Sequence, residues 1–176
     1  MNNEVAYFAG GCFWCLEAIY KRLKGVIGVE SGYCGGSLEN PNYYNISDHT
    51  ETVRIDFDPN QISYKALLDV FFAIVDPTTL NRQGADVGSQ YRSEIFYIND
   101  NQREQALEFI DLLSKSNKYS QKIVTKVSKF EKFYKAEEYH QNYYDLNSNQ
   151  PYCSIVIDPK IQKLYKDFKD LVTINN

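Results

Sequence analysis

The sequence predicts an α+β fold: a two-layer sandwich, with helices on a mixed sheet of the split βαβ (ferredoxin-like) type, extra helices and long loops. Three observations carry this reading. Period-2 and period-3.6 segments follow one another as strand, helix, strand, strand, helix, strand, then helix and strand. A Gly10-Gly11 pair joins the first strand to the first helix as a sharp turn. No repeat, low-complexity stretch or linker interrupts the 176 residues, of which 43% are hydrophobic, so residues 1–176 are expected to form one domain.

Val5-Ala6-Tyr7-Phe8 is a short apolar run of the kind a buried strand shows. After the glycine pair, Cys12, Leu16, Ile19, Tyr20 and Leu23 recur with helical spacing, which puts Cys12 at or near the first turn. Residues 25–33 read as a second strand closed by Gly35-Gly36, and the Asn-, Tyr- and Ser-rich stretch 37–50 as a loop. Thr52 to Phe57 alternates apolar and polar residues, the mark of a half-buried strand. Ser63 is placed to cap a helix carrying Leu67, Leu68, Phe71, Phe72 and Val75, which Asp76-Pro77 stops. A polar loop, 78–89, leads to the strand Glu94–Ile98. Asn101 with Glu104 resembles a capping box for a helix with Ala106, Leu107, Ile110 and Leu113 inward. Ile123 to Val127 reads as a further strand. From about residue 142 the chain is expected to be partly irregular, ending in a helix over 160–171 with Ile161, Leu164, Tyr165, Phe168 and Leu171 on one face.

Composition narrows the function classes. A net charge of −4 gives no basic excess for a phosphate backbone. Neither an 18-residue apolar run nor a basic-then-apolar leader is present, so a cytoplasmic location is expected. In that reducing compartment four cysteines point to catalysis, metal binding or plain thiols rather than a disulfide framework. The 15 Tyr and 10 Phe exceed what a core of this size asks for, and part of them is available to line a site.

Cys12 and Cys15 form a C-x-x-C pair beside Phe13 and Trp14. A thiol at a helix start meets free backbone N–H groups and the positive end of the dipole, which favour the thiolate. A redox pair ranks first, two buried thiols second, and half of a zinc site third, because Cys34 and Cys153 are isolated. A nucleophilic thiol needs an acid or base. His49 or Glu51, just ahead of a strand, and the dense polar stretch 82–92 are the candidates, while Glu137 to Gln141 has the composition of a solvated helix end.

Read together, Gly11-Cys12-Phe13-Trp14, Gly32-Tyr33, Asn40-Pro41-x-Tyr43, His49-x-Glu51, Asp76-Pro77-Thr78, the segment Arg82 to Ser93 and Glu138-Tyr139-His140-Gln141 occur in one order. Over about residues 5–153 this resembles the peptide methionine sulfoxide reductase A family. The resemblance implies thiol-dependent reduction of the S epimer of methionine sulfoxide, free or in proteins, with each of the A and B enzymes serving one epimer. It implies Cys12 as nucleophile, Phe13 and Trp14 around the substrate methyl, Glu51 as acid, Tyr43 and Tyr91 on the sulfoxide oxygen, and Asp86 near the site. A Cys12 sulfenic acid would then be captured as an intramolecular disulfide by Cys153, which matches the family's C-terminal Tyr-Cys context. Thioredoxin or another dithiol would regenerate the thiols, with no cofactor and no metal, and a monomer is expected, without nucleic-acid or membrane partners.

The chain departs from the family pattern in three places. Cys15 stands where many relatives have Gly, the loop before His49 is short, and no cysteine follows Cys153. Cys15 therefore has the reach to capture the sulfenic acid directly or to take over the disulfide. The polar, Pro-containing stretch 147–152 suggests a mobile tail able to swing Cys153 to Cys12, which makes Cys12–Cys153 the expected first disulfide. Cys34 receives no role.

Overall fold

The structure, a computed structural model, describes residues 2–173. Its strands are β1 (Glu4–Ala9), β2 (Val26–Cys34), β3 (Thr50–Phe57), β4 (Arg82–Gln83), β5 (Asp86–Val87), β6 (Glu94–Tyr97), β7 (Lys126–Lys129) and β8 (Tyr134–Lys135). Its α-helices are α1 (Phe13–Tyr20), α2 (Tyr64–Ile74), α3 (Asp100–Lys115), α4 (Tyr143–Asn147) and α5 (Asp158–Asp167). Six strands form one mixed sheet in the order β7-β6-β1-β3-β2-β8, while β4 and β5 make a separate hairpin. Only β6 and β7 pair in parallel; every other ladder is antiparallel.

Alternation along the strands divides the sheet's residues between two faces. Ala6 and Phe8 of β1, Val53, Ile55 and Phe57 of β3 and Ile95 of β6 face α1, α2 and α5, whose Leu16, Ile19, Leu67, Phe71 and Leu164 complete the main core. Full burial of each such side chain contributes about 1.5–3 kcal/mol. Tyr7, Ala9, Cys34 and Phe96 point the other way, under Phe130 and Phe133. The Tyr7 and Phe130 rings stack there at 4.1 Å.

Local signals explain most helix ends. Ser63 caps α2 by accepting from Ala66 N–H at 3.1 Å, which is worth about 1 kcal/mol. The capping box of α3 lies two residues earlier than its Asn101 and Glu104 version. Asn99 accepts from Gln102 N–H, and Gln102 Oε1 accepts in return from Ile98 N–H. Leu107 is accordingly exposed, and Gln102 and Ala106 take the inward positions. Tyr165 is also partly exposed, leaving Ile161 and Leu164 as the buried residues of α5.

The largest correction concerns the C-terminal stretch. From Pro151 to Asp167 the backbone is helical throughout, with a π-helical insert at Cys153–Ile157 running into α5. Its polar sequence follows from an exposed outer face, while Cys153, Ile157 and Leu164 are fully buried. Cys153 sits in packed helix rather than on a mobile tail.

Candidate active site

The site grows from the β1–α1 turn. Gly11 adopts φ +81°, and a Cβ there would lie 2.9 Å from the Gln83 side chain, so the turn needs a glycine. Its N–H donates to Tyr91 O at 3.1 Å, fastening the turn to the segment before β6. Gln83 is itself locked by two hydrogen bonds to the Asp76 backbone. Cys12 then stands at the N-cap of α1.

Around it Cys12, Phe13, Trp14, Tyr43, Glu51, Asp86, Tyr91 and Tyr152 line a cavity of about 190 Å³. Seven of these are the residues named from the sequence. Five separate segments deliver them: the start of α1, the 37–50 loop, the head of β3, the β4–β5 hairpin with the turn after it, and the helix start at Tyr152.

Glu51 is 2% exposed and has no cationic partner among the described residues. Its one protein hydrogen bond among those of the described residues comes from Phe13 N–H at 3.0 Å. Burial pushes its carboxyl up to about 8, with the Asp86 charge adding to the rise and the Phe13 N–H opposing it. At neutral pH it is therefore an undissociated acid. Burial likewise raises Tyr43 and Tyr91, which stay protonated donors. Asp86 accepts from Tyr152 OH at 2.6 Å, and that hydroxyl also lies 3.8 Å from Cys15 Sγ.

The thiols correct the expectation of a simple low-pKa Cys12. The helix-start N–H of Phe13 is given to Glu51, and burial raises the Cys12 thiol well above its usual range. The neighbouring thiols act oppositely on each other, raising Cys12 further and lowering Cys15 to about 7 against burial, with Lys160 and Tyr152 helping. Cys153 is not on the cavity wall; the thiol it interacts with is Cys15. Cys34 is on the opposite face of the sheet, so the four cysteines do not converge as a zinc site would require.

Two further positions were not legible as site residues. Tyr152 carries no sequence signal beyond the context of Cys153, yet its ring meets Trp14 edge-on at 5.8 Å. His140, in a segment with the look of a solvated helix end, is 1% exposed and accepts from Trp14 Nε1 at 3.1 Å. The family motif around it was the one available signal. His49 is spent on structure: its Nδ1 accepts from Gly36 N–H and its Nε2 bonds Leu38 O.

A family model described as peptide methionine sulfoxide reductase matches residues 4–171. The chain belongs to the peptide methionine sulfoxide reductase family. A relative in Sulfolobus acidocaldarius, a peptide methionine sulfoxide reductase MsrA, is 51% identical over 175 residues, covering 97% of this chain and 98% of that protein. The crystal structure of Mxr1 from Saccharomyces cerevisiae in reduced form superposes with a TM-score of 0.80 at 32% identity, over 86% of this chain and 89% of that one. Mxr1 in complex with Trx2 matches at a TM-score of 0.59 and 27% identity, over 80% and 84%. As a member of the peptide methionine sulfoxide reductase family, the chain is an oxidoreductase that reduces methionine sulfoxide with thiols. None of its helices within the described residues is long and apolar enough to cross a membrane.

Proposed function

We propose that the chain reduces the S epimer of methionine sulfoxide through a Cys12 sulfenic acid, in the 190 Å³ cavity. The observation that carries this is a thiol and an undissociated, unpaired carboxylic acid, Cys12 and Glu51, on the wall of one aromatic cavity. Cys12 sulfur attacks the sulfoxide sulfur while Glu51, helped by the Tyr43 and Tyr91 hydroxyls, gives a proton to the sulfoxide oxygen. The S–O bond breaks, the hydroxyl passes to the Cys12 sulfur as the transient sulfur–sulfur bond breaks, the proton given up by the Cys12 thiol restores Glu51, and the products are methionine and Cys12–SOH. Phe13 and Trp14 form the apolar wall for the substrate methyl, and Asp86 with Tyr152 forms the polar one.

Cys15, in the first turn of the helix that Cys12 opens and close enough to shift its titration, is the better placed thiol to displace water from the sulfenic acid and close the first disulfide. Lys160 and Tyr152 lower its pKa independently of the Cys12 thiol, which favours the attacking thiolate. Cys153, next to Cys15 and buried, then takes over the bond once its helix start opens. Thioredoxin or a small dithiol returns both thiols; the likeness to a chain solved in complex with Trx2 supports a thioredoxin-type partner. All the pocket's lining residues come from one chain, which supports action as a monomer. The four thiols, all free, suit a reducing compartment such as the cytoplasm. The central order β6-β1-β3-β2 with α1 and α2 as crossovers supports reading the core as the split βαβ, ferredoxin-like arrangement.

The deciding assay offers each epimer of N-acetylmethionine sulfoxide with dithiothreitol. Turnover of the S epimer alone is expected; turnover of the R epimer alone would reject the assignment. A single turnover without reductant, quenched in acid and peptide-mapped, should show Cys12–Cys15 before any bond to Cys153. A Cys12–Cys153 bond appearing first would reverse that order.

A further inference from the structure

Behind the cavity lies a set of polar groups, buried at His140 and half-buried at Glu137, that touches no reacting atom. We infer that His140, backed by Glu137, is a positioning residue of the reductase: it fixes the Trp14 indole as the wall against which the substrate's methyl group packs. The inference rests on the proposed role of Trp14.

An indole N–H can only donate. The 3.1 Å contact from Trp14 Nε1 therefore makes His140 Nδ1 an acceptor and places the ring in its neutral, Nε2-protonated form. Tyr143 stacks on the indole at 3.6 Å and 6°, so the ring is clamped on one face and tethered at its edge. Nε2 of His140 is buried and approaches Glu137 Oε2 to 3.3 Å, outside hydrogen-bond geometry. Glu137 in turn accepts from Tyr33 OH, Tyr139 OH and Tyr43 N–H at 3.2–3.3 Å. One carboxylate thus holds the backbone of Tyr43, and through the imidazole the same unit holds Trp14. These are two residues of the cavity wall that come from different segments of the chain, α1 and the 37–50 loop.

A histidine kept only for packing would not need this tautomer or this donor. The Trp14 side chain is partly exposed, and water could serve its N–H equally well. What the protein bond adds is a fixed indole orientation, and binding a small methyl group by packing depends on that orientation. The groups facing the imidazole are Glu137 and Tyr139 from its own turn, Tyr43 from the 37–50 loop, and Phe13 and Trp14 from α1. Tyr33 of β2 reaches it through Glu137. Burial holds the imidazole below its ordinary pKa despite Glu137. Protonation at acid pH makes Nδ1 a donor and breaks the bond to Trp14.

The test is steady-state and single-turnover kinetics with N-acetylmethionine (S)-sulfoxide and dithiothreitol. His140→Leu should raise KM about tenfold, the upper end of what one lost hydrogen bond is worth, with a saturating single-turnover rate within about threefold of wild type. His140→Asn, whose carbonyl oxygen replaces Nδ1, should recover most of that KM. It should also lose the rise in KM that wild type shows as pH falls through the His140 titration. On a Trp14→Phe background, His140→Leu should add little. An unchanged KM in His140→Leu, an equal increment on the Trp14→Phe background, or an acid-side rise that survives in His140→Asn would each overturn the inference. If circular dichroism shows His140→Leu unfolded, the pH profiles of His140→Asn and Trp14→Phe decide, since both must lose the acid-side rise. A wild-type protein inactive on the S epimer would reject the site reading, and the inference with it; activity with any of the three failures above rejects the inference alone.

Discussion

The two faces of the central sheet each bury a cysteine beside a glutamate. On the helix-covered face Cys12 and Glu51 share a cavity of about 190 Å³; on the other, Cys34 and Glu94 share one of about 340 Å³. Both thiols are buried and both are raised by burial, Cys34 to about 12. Both glutamates are almost inaccessible, at 2% and 4%. Size and burial would favour the wrong cavity. The difference is in the partners. Glu94 is bonded to Arg92 Nε at 2.7 Å and Ser128 Oγ at 2.6 Å, so it is a compensated charge holding β6 to its neighbours. Glu51 has one backbone N–H and no cation, which leaves it an acid with a proton to give. Cys34 has Thr52 beside it, whereas Cys12 has a second thiol. A reactive pair here is one whose polar needs the fold has left partly unmet.

Replacing each cysteine tests that contrast most severely. Cys12→Ser should abolish single-turnover sulfoxide reduction with the fold intact, because a hydroxyl at neutral pH is a far weaker nucleophile. Any measurable oxygen transfer by that variant, followed by chromatography of the methionine product, would remove Cys12 from its role.

The glutamates come next. Glu51→Gln should slow the chemical step by about 10²–10⁴-fold, since an amide donates a hydrogen bond but transfers no proton. Glu94→Gln should leave the chemical step nearly untouched and lower stability instead, by up to about 3–5 kcal/mol, as removing one partner of a buried pair does. Rapid-quench rates and denaturant unfolding of both variants separate the two effects. If Glu94→Gln slows chemistry as much as Glu51→Gln, the faces are not functionally distinct.

A pH series sharpens the same point. The folded pKa of Glu51 lies above its unfolded value, so the acid is intact below that folded value and is lost as pH rises through about 8. The single-turnover rate should fall there, by about tenfold per pH unit once the carboxyl is mostly ionised. Stability carries the same sign: the contribution of neutral Glu51 is fully present below the usual carboxylate pKa of 4.5 and is lost as pH rises through about 8. Glu51→Gln should flatten both profiles. An alkaline loss that persists in Glu51→Gln would assign it to another group.

Much of this site could be read from the chain because it depends on local chemistry. The glycine turn, the helical spacing after Cys12 and the short motifs each fix a few neighbouring residues, and the structure gathers Cys12, Phe13, Trp14, Tyr43, Glu51, Asp86 and Tyr91 around one cavity. What escaped depends on contacts between remote segments. The sequence of 147–152 is polar because it runs as an exposed turn into a packed helix, so composition suggested mobility where burial of Cys153 imposes order. The burial of Glu51, and with it the direction of its pKa, comes from α1 crossing its strand rather than from its neighbours in sequence. His140 meets Trp14 across 126 residues, a pairing no local periodicity can show. The α3 cap slipped by two residues because Asn99 and Asn101 carry the same capping chemistry, and only the strand end chooses between them.

The smallest expected effect belongs to Cys34. Its thiol is 1% exposed, pushed to about 12, and separated from the Cys12 face by the sheet itself. Nothing in that setting generates a thiolate near neutral pH or brings a second thiol within reach. Cys34→Ala removes one buried sulfur from the small cluster with Tyr7, Ala9 and Phe96. The loss should be about 1 kcal/mol, and calorimetry should show a Tm lower by about 2–4 °C. Turnover with dithiothreitol should stay within about twofold of wild type, because no step of the reaction passes through this face. The larger cavity beside Cys34 makes this a real risk for the comparison. A loss of turnover beyond an order of magnitude, with Tm preserved, would show that the second face takes part in catalysis and that unmet polar groups are not what separates the two.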